Sequence, residues 1–335
     1  MNWGLGHATR SVPLVEEFIK QDYQVDIASD GEALTFLRER FPKLKYFELP
    51  PYNITYSRQS NQIIKIASQV PKIISKIKKE NKVIIDLCKN ESYSCIVSDN
   101  RFGAYHETIY SVFISHQINI QSPFMSGLIK KLNINIINKF DECWIPDFEP
   151  PHNLGGELSI VHDEIKKYHY IGNLSHLSIR KKDQVYNITY LLSGPEPQRS
   201  ILEEKIIAQH PDNLKGLLIR GSQAQSSKTS TDSLEIVNLL CSDELSEKLS
   251  QSSIVVCRSG YSSLMDLVNS HLKVILIPTP GQTEQEYLAN RLSELGAYSI
   301  DQESYKVECI NYAQKIISKS GSFNDFSNLI YALGG

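Results

Sequence analysis

The stretch from Ser253 to Arg291, SIVVCRSGYSSLMDLVNSHLKVILIPTPGQTEQEYLANR, constrains the fold more than any other. Ile254–Cys257 is a short apolar run that reads as a buried strand. Arg258-Ser259-Gly260 breaks it, and 262–270 reads as a helix. Lys273–Ile277 is a second buried strand, stopped by Pro278-Thr279-Pro280-Gly281, and a second helix runs from about Glu284 to Leu295. Strand, helix, strand, helix at this spacing is a unit of an open parallel sheet. Both strand-to-helix turns are rich in Gly, Ser, Thr and Gln. In such sheets ligands bind in the crevice beyond the carboxyl ends of the strands. Each turn also opens a helix, whose unpaired N–H groups and positive end suit an anion such as phosphate.

A chain of 335 residues has room for two domains of this kind. The balance of 35 basic and 38 acidic side chains gives no reason to expect nucleic acid. The six cysteines form no CxxC pair and read as small buried residues in a reducing compartment. No signal peptide and no apolar run long enough to span a bilayer is legible. The expected location is therefore cytoplasmic.

The first residues are unusual. Gly4-Leu5-Gly6-His7 leads directly into an amphipathic helix, Ala8 to about Gln21. A glycine turn opening a helix normally follows a strand, yet only Met1-Asn2-Trp3 precede it. A parallel sheet without its central strand would expose two edges. The expectation is a sequence that starts late, with the first N-terminal strand missing from it. The alternation then continues with strand Gln24–Ala28, helix Gly31–Arg40 and strand Lys45–Leu49. A long helical stretch, about 61–89, holds Pro71 as an expected kink or break. Strand Cys95–Ser98 ends in Asp99-Asn100-Arg101, and strand 111–115 in His116-Gln117. Helix 126–138 and strand Glu142–Ile145 follow. The polar run after Leu174 reads as the boundary between an N-terminal domain, 1–174, and a C-terminal domain, 175–335.

The second half restarts the pattern. Strand Ile188–Leu192 enters Ser193-Gly194-Pro195-Glu196-Pro197-Gln198, followed by helix Arg199–Gln209 and strand Lys215–Arg220. A Ser/Thr/Gln-rich loop, 221–233, leads to a short strand near 234–239 and helix 243–250. Helices near 304–319 and 324–333 finish the chain.

Three stretches carry a resemblance to a known family: Gly4-Leu5-Gly6-His7, the SGPEPQ turn, and Arg258-Ser259-Gly260 through Asp266 with Pro280-Gly281-Gln282-Thr283-Glu284-Gln285. Taken with them, the chain resembles a GT-B glycosyltransferase, close to family 28, over nearly its whole length. The model member of that family adds N-acetylglucosamine to a lipid-linked muramyl pentapeptide in peptidoglycan synthesis. The resemblance implies two Rossmann-like, doubly wound α/β domains facing a cleft. It implies a nucleotide-sugar donor, UDP-linked, on the C-terminal domain and an acceptor on the N-terminal one. Pro195 and Pro197 depart from the family by removing backbone donors from the phosphate turn. The acceptor-side loops do not match the peptidoglycan enzyme, so its acceptor is not carried over.

The resemblance places Ser193, Gly194 and Gln198 beside the donor diphosphate, with Gly260 and the hydroxyls of Ser259, Ser262 and Ser263 at a helix start. An ordinary helix cap is the alternative. Arg258 either pairs with phosphate or fixes the loop. Asp266 falls where the family has an acidic residue that accepts from ribose hydroxyls. Glu284 and Gln285 align with donor-sugar contacts, and Gly281, Gln282 and Thr283 belong to the same donor-binding signature. His7 is the candidate base: the positive helix end favours neutral imidazole, the form that accepts a proton. Gly6, Arg10, Asp99, Asn100 and His116 are assigned to the acceptor side, with Asp99 and His116 as alternative bases. No metal site and no cofactor are implied.

Lys72, Lys76, Lys78, Lys79 and Lys82 cluster on the long helix, and Phe124, Met125, Leu128 and Ile129 precede Lys130 and Lys131. Peripheral contact with the inner face of the cell membrane is one reading, and a solvated helix face with core apolar positions is the other. The expected function is inverting, metal-independent transfer of a hexose or N-acetylhexosamine from a nucleoside diphosphate to a hydroxyl, in building a cell-envelope polysaccharide with an acceptor that is lipid-linked or free. Alternatives are a sugar-nucleotide hydrolase or epimerase on the same fold, or a non-catalytic nucleotide-sugar-binding protein.

Overall fold

The computed structural model describes residues 6–52, 62–119, 126–161, 164–221, 230–317 and 325–333. The chain divides into two units, Met1–Leu174 with Ser320–Gly335, and Ser175–Lys319.

The first unit runs α1 (Gly6–Lys20), β1 (Asp26–Ser29), α2 (Gly31–Arg40), β2 (Lys45–Glu48), α3 (Gln62–Asn90), β3 (Cys95–Asp99), β4 (Tyr110–Ile114), α4 (Ser126–Ile137), β5 (Glu142–Ile145) and β6 (Tyr168–Tyr170). Its strands form two sheets, β1-β2 and β3-β4-β5-β6, and every pairing is parallel. Burial follows from that topology. Parallel strands joined by helical crossovers are covered on both faces, so β5 is buried at every residue and β4 at all but Tyr110. The helix α1 turns Ala8, Val12, Leu14 and Phe18 inward, at the spacing of one helical face. α3 extends through Pro71 as one helix rather than breaking there.

The second unit runs β7 (Tyr186–Leu191), α5 (Gln198–Gln209), β8 (Gly216–Ile219), β9 (Leu234–Val237), α6 (Ser242–Ser250), β10 (Ser252–Cys257), α7 (Tyr261–Leu267), β11 (Lys273–Leu276), α8 (Thr283–Glu294) and β12 (Tyr298–Ser299). One parallel sheet holds all six strands in the order β12-β11-β10-β7-β8-β9. The chain starts in the middle at β7, winds outward to β9, then returns to β10 on the other side of β7. That reversal is the topological switch point of a doubly wound sheet, where a crevice opens between adjacent turns. Ile188, Tyr190, Val256 and Ile275 of three neighbouring strands pack in its core.

Three expectations change. The helix expected near 304–319 is a 3-10 helix, Val307–Tyr312, followed by extended chain. Tyr305, Cys309 and Ala313 are buried at a spacing of four, which mimics an α-helical face. The helix cannot continue because Gln314 bridges β11 at Val274, whose N–H donates to the Gln314 carbonyl at 2.7 Å. The strands β6 and β12 span 3 and 2 residues, too short for periodicity to show them. The last helix, α9 (Phe326–Leu333), belongs to the first unit, not to the second as the boundaries 175–335 would have it. Ile330 is fully buried in a cluster with Leu14, Phe18, Val112 and Trp144, and Tyr23 Oη donates to its carbonyl at 2.9 Å. Burial of that one face holds the segment where it is, and nothing local in the sequence announces it.

Candidate functional site

Two clusters of predicted residues form, one in each unit, both at the carboxyl ends of strands. In the first unit β3 ends at Asp99 beside Ile114, the last residue of β4. Asn100 follows with a left-handed φ of 54° and donates its N–H to the Ile114 carbonyl at 3.0 Å. This turns the chain sharply and leaves Asp99 facing the start of α1. There His7 Nδ1 lies 3.0 Å from Asp99 Oδ1. Arg10, one turn further on the same helix face, donates through Nε to Asp99 Oδ2 at 2.8 Å and through Nη2 to Oδ1. Its Nη1 donates to His116 Nδ1 at 2.8 Å. Ser11 Oγ donates to the His7 carbonyl at 2.9 Å. Gly6, the first residue of α1, lies directly before His7.

Protonation follows from these partners. Burial alone would push Asp99 up, but the Arg10 charge and the hydrogen bonds from Arg10 and His7 outweigh it and hold the carboxyl well below the usual carboxylate range. An ionised carboxylate only accepts hydrogen bonds. His7 Nδ1 therefore carries the proton and donates to Asp99, and Nε2 keeps its lone pair. Burial, helped by Arg10 and opposed by Asp99, lowers His7 to about 4. Its imidazole is neutral across the physiological range. Asp99, held by Arg10 and His7 together, is placed to orient His7 rather than to take a proton itself. His116, buried, receives the Arg10 bond on its Nδ1. Arg10 is only 2% exposed, so its charge depends on the two-pronged contact with Asp99.

In the second unit three polar turns meet at the switch point: Ser193–Pro197 after β7, Arg258–Gly260 after β10, and Pro278–Gln282 after β11. Arg258 fastens them together. Its Nη2 donates to the Gln198 carbonyl at 2.9 Å and to Gln302 Oε1 at 2.6 Å, and its Nη1 to the carbonyls of Ile277 and Pro278 at 3.3 and 3.2 Å. Arg258 thus fixes the loops, one of the two roles the sequence left open. All of these acceptors are neutral. Burial lowers the guanidinium to about 10, still charged near neutrality. Ser259, fully buried, donates its only hydroxyl proton to the Gln285 carbonyl at 2.7 Å. It braces α7 against α8 instead of offering its hydroxyl to a phosphate. Gln285 Oε1 accepts from the Thr279 N–H at 2.8 Å. Its Nε2 lies beside Gly260, 3.8 Å from where a Cβ would stand.

Gly194 is exposed with φ of 97°, and a Cβ there would come within 3.4 Å of Thr279 Oγ1, so the first and third turns are neighbours. Gln198 Oε1 accepts from Gln302 Nε2 at 2.9 Å. Ser262 and Ser263 are half-buried in the first turn of α7. Gln282 caps α8, Thr283 and Glu284 open it, and Gly281 donates its N–H to Glu286 Oε1 at 2.8 Å. Asp266 Oδ1 accepts from Ser175 Oγ at 2.6 Å and stands 3.5 Å from His176 Nδ1. Gln302, Thr279, Ser175 and His176 were not among the predicted residues. Thr279 lies in the turn the sequence singled out after the second strand, whereas Gln302, Ser175 and His176 sit in no motif and are reached only through the tertiary fold.

Among the described residues no group of three or more His, Cys, Asp or Glu is placed to hold a metal ion. No helix among them is long and apolar enough to cross a membrane. The pairing of Phe124 and Met125 with lysines lies outside the described residues, as do Gly4 and Leu5 and the side chains of Leu128 and Ile129.

A parallel α/β unit with polar turns at its switch point, following a second such unit with a helix-start histidine, defines a class: the GT-B fold. The comparisons agree. Residues 200–321 match the model of the glycosyltransferase family 28 C-terminal domain. The glycosyltransferase SnogD from Streptomyces nogalater is similar in structure, with a TM-score of 0.61 at 13% identity, over 98% of this chain and 90% of that one. MurG of Acinetobacter baumannii gives 0.53 at 13% identity, over 92% and 87%. The spinosyn rhamnosyltransferase SpnG complexed with thymidine diphosphate gives 0.58 at 11%, over 98% and 89%. At these identities the likeness is one of fold. No curated protein matches the chain in sequence. The family 28 domain and the glycosyltransferase neighbours support glycosyl transfer.

Proposed function

We propose that the chain moves a hexose or N-acetylhexosamine from a nucleoside diphosphate, UDP, to a hydroxyl, with inversion and without a metal ion. The observation that carries the reading is the His7–Asp99 pair, 3.0 Å apart at the start of α1. His7 Nε2 takes the proton of the acceptor hydroxyl as that oxygen attacks the anomeric carbon. The bond from the anomeric carbon to the diphosphate breaks, and its electrons pass to the phosphate oxygen. Asp99 holds the imidazole in the accepting tautomer and stabilises the imidazolium that forms.

The second unit supplies the donor seat. Arg258 is a buried cation bonded only to neutral oxygens, which favours an anion at the three turns it ties together. Gly194, Gly260, Ser262 and Ser263 border that place, Asp266 reads the ribose, and Glu284 with Gln285 reads the sugar. The acceptor is a hydroxyl compound of cell-envelope polysaccharide synthesis, not carried over from the peptidoglycan enzyme, and the enzyme works in the cytoplasm, at the inner face of the membrane when that acceptor is lipid-linked.

Incubation with UDP-, TDP- and GDP-sugars tests the reading, with and without a hydroxyl acceptor and with a chelator present. UDP release that needs acceptor, survives the chelator and gives inverted product is expected. Equal release without acceptor would make the protein a hydrolase. Tight donor binding with no turnover would make it a sensor.

A further inference from the structure

Among the described residues five arginines are buried: Arg10, Arg101, Arg199, Arg220 and Arg258. Four of them grip a carboxylate. Arg10 holds Asp99, Arg101 holds Asp30 and Glu80, and Arg199 and Arg220 share Glu203. Such pairing is the general rule, since a charge taken out of water is costly unless it is matched. Arg258 departs from it. It is 1% exposed, the deepest of the five, and it stays charged near neutrality. Its partners are three backbone carbonyls and the amide oxygen of Gln302. Its Nε–H has no partner among the described residues. Neither has Thr279 Oγ1, on a residue 3% exposed that follows Pro278 and faces Gly194. Buried polar groups are nearly always hydrogen-bonded. An unmatched cation with two orphaned polar atoms, all at the three polar turns, fits a site built for an anion.

Three of the four acceptors on Arg258 are backbone, which no substitution can charge. The fourth is the side chain of Gln302, 5% exposed, at 2.6 Å. Both ends of that residue are fixed. Lys205 Nζ donates to the Gln302 carbonyl at 3.0 Å, and Gln302 Nε2 donates to Gln198 Oε1 at 2.9 Å. A carboxylate is the strong partner for a buried guanidinium, yet this position carries the amide of the same length. We propose that Gln302 is a positioning residue that holds Arg258 without neutralising it, which leaves the guanidinium charge to the diphosphate of the donor. The inference rests on the donor seat proposed above and names the residue that makes the seat selective for an anion. Gln302 lies outside the three turns and acts through Arg258. Arg258 in turn is closed to solvent and acts through the protein, where a charge is felt over several ångströms because little water screens it.

The test sets charge against structure. Calorimetry is run with UDP, TDP and GDP, each beside its nucleoside, and melting temperature is read on the same proteins. Gln302→Glu supplies a counter-ion, and the Gln198 amide can turn over to donate to it. Diphosphate affinity should fall by at least about tenfold, nucleoside affinity should hold, and the melting temperature should stay or rise. Gln302→Leu drops the bond and keeps the charge, so its melting temperature should fall while its diphosphate affinity exceeds that of Gln302→Glu. A side chain that only braces the fold would lose affinity in step with stability in both variants. Wild-type diphosphate affinity in Gln302→Glu, or equal losses in the two variants, would overturn the proposal. Where Gln302→Glu does not fold, Arg258→Met combined with Gln302→Leu decides, since apolar replacement of buried polar groups is often tolerated. Its preference for diphosphate over nucleoside should shrink by at least about tenfold, and a preference kept at the wild-type level would overturn the proposal. A wild type that binds none of the diphosphates more tightly than its nucleoside would remove the donor seat itself, and this inference with it.

Discussion

His7 and Asp99, 92 positions apart in sequence, meet at 3.0 Å, and the same carboxylate is gripped by Arg10. One anion thereby serves a proton acceptor and a fixed cation. His7→Ala should lower turnover by roughly two to four orders of magnitude, the usual contribution of a positioned base. Donor affinity should stay near wild type, since the donor turns lie in the other unit. Calorimetry and acceptor-dependent UDP release on the same variant separate these effects, and lost affinity with unchanged turnover at saturation would make His7 a binding residue.

The pH profile follows from the same partners. Burial lowers His7 to about 4, so the acid limb of kcat/KM should fall near pH 4 and not near the ordinary histidine value of about 6.5. Arg10→Gln removes a charge that opposes imidazolium, so the limb should move to higher pH. Stability has a matching sign. The unfolded chain takes up the His7 proton first, so this group's contribution is present above about pH 6.5 and is lost as pH falls toward 4.

Asp99→Asn should cost about 3 kcal/mol of stability, because it strands the buried Arg10 guanidinium. Arg10→Met in the Asp99→Asn background should restore part of the loss. Thermal or urea unfolding of the single and double variants reads this directly. A single variant as stable as wild type would mean that Arg10 is solvated.

For the donor turns, Arg258→Ala should reduce melting temperature and UDP affinity together, since it releases the Gln198 and Gln302 contacts as well as those to the third turn. A side chain acting only as a phosphate ligand would lose affinity with its melting temperature unchanged.

Asp266→Ala should weaken UDP binding by about 1.5–3 kcal/mol if its carboxylate accepts from ribose. Ser175→Ala is the control, since Ser175 donates to the same Asp266 oxygen. Equal affinities for wild type and Asp266→Ala would remove this residue from the donor site.

What the sequence could show was local. The runs Val255–Cys257 and Val274–Leu276 read as buried strands because parallel strands covered on both faces are continuously apolar. The turns after them read as ligand-binding because their residue types are wrong for a core. Asp99, His116 and His7 were each legible as the end of a strand or the start of a helix. Their pairing through Arg10 was not, because Arg10 reads as an ordinary helix arginine until the sheet sets β3 beside it. The role of Arg258 stayed open for the same reason: its acceptors Gln198 and Gln302 stand 60 and 44 positions away. Ser259 looked like a phosphate ligand because no local rule reveals that the Gln285 carbonyl takes its proton. Tyr305, Cys309 and Ala313 misled in the opposite direction, offering a helical spacing that a 3-10 turn and a bridge to β11 satisfy instead.

The placement of α9 bears on synthesis order. Ile330 completes a cluster begun by Leu14 and Phe18, so the half translated first waits for the half translated last. The stretch between, 175–319, is an insertion that emerges whole and has its own sheet to close. On the ribosome it can fold before its host does. A fragment cut at Leu174 would keep every first-unit strand yet leave Leu14, Trp144 and Ile171 without their cover. Where such a fragment is made in the cell, the apolar face vacated by one short helix is the surface that chaperones and proteases would meet.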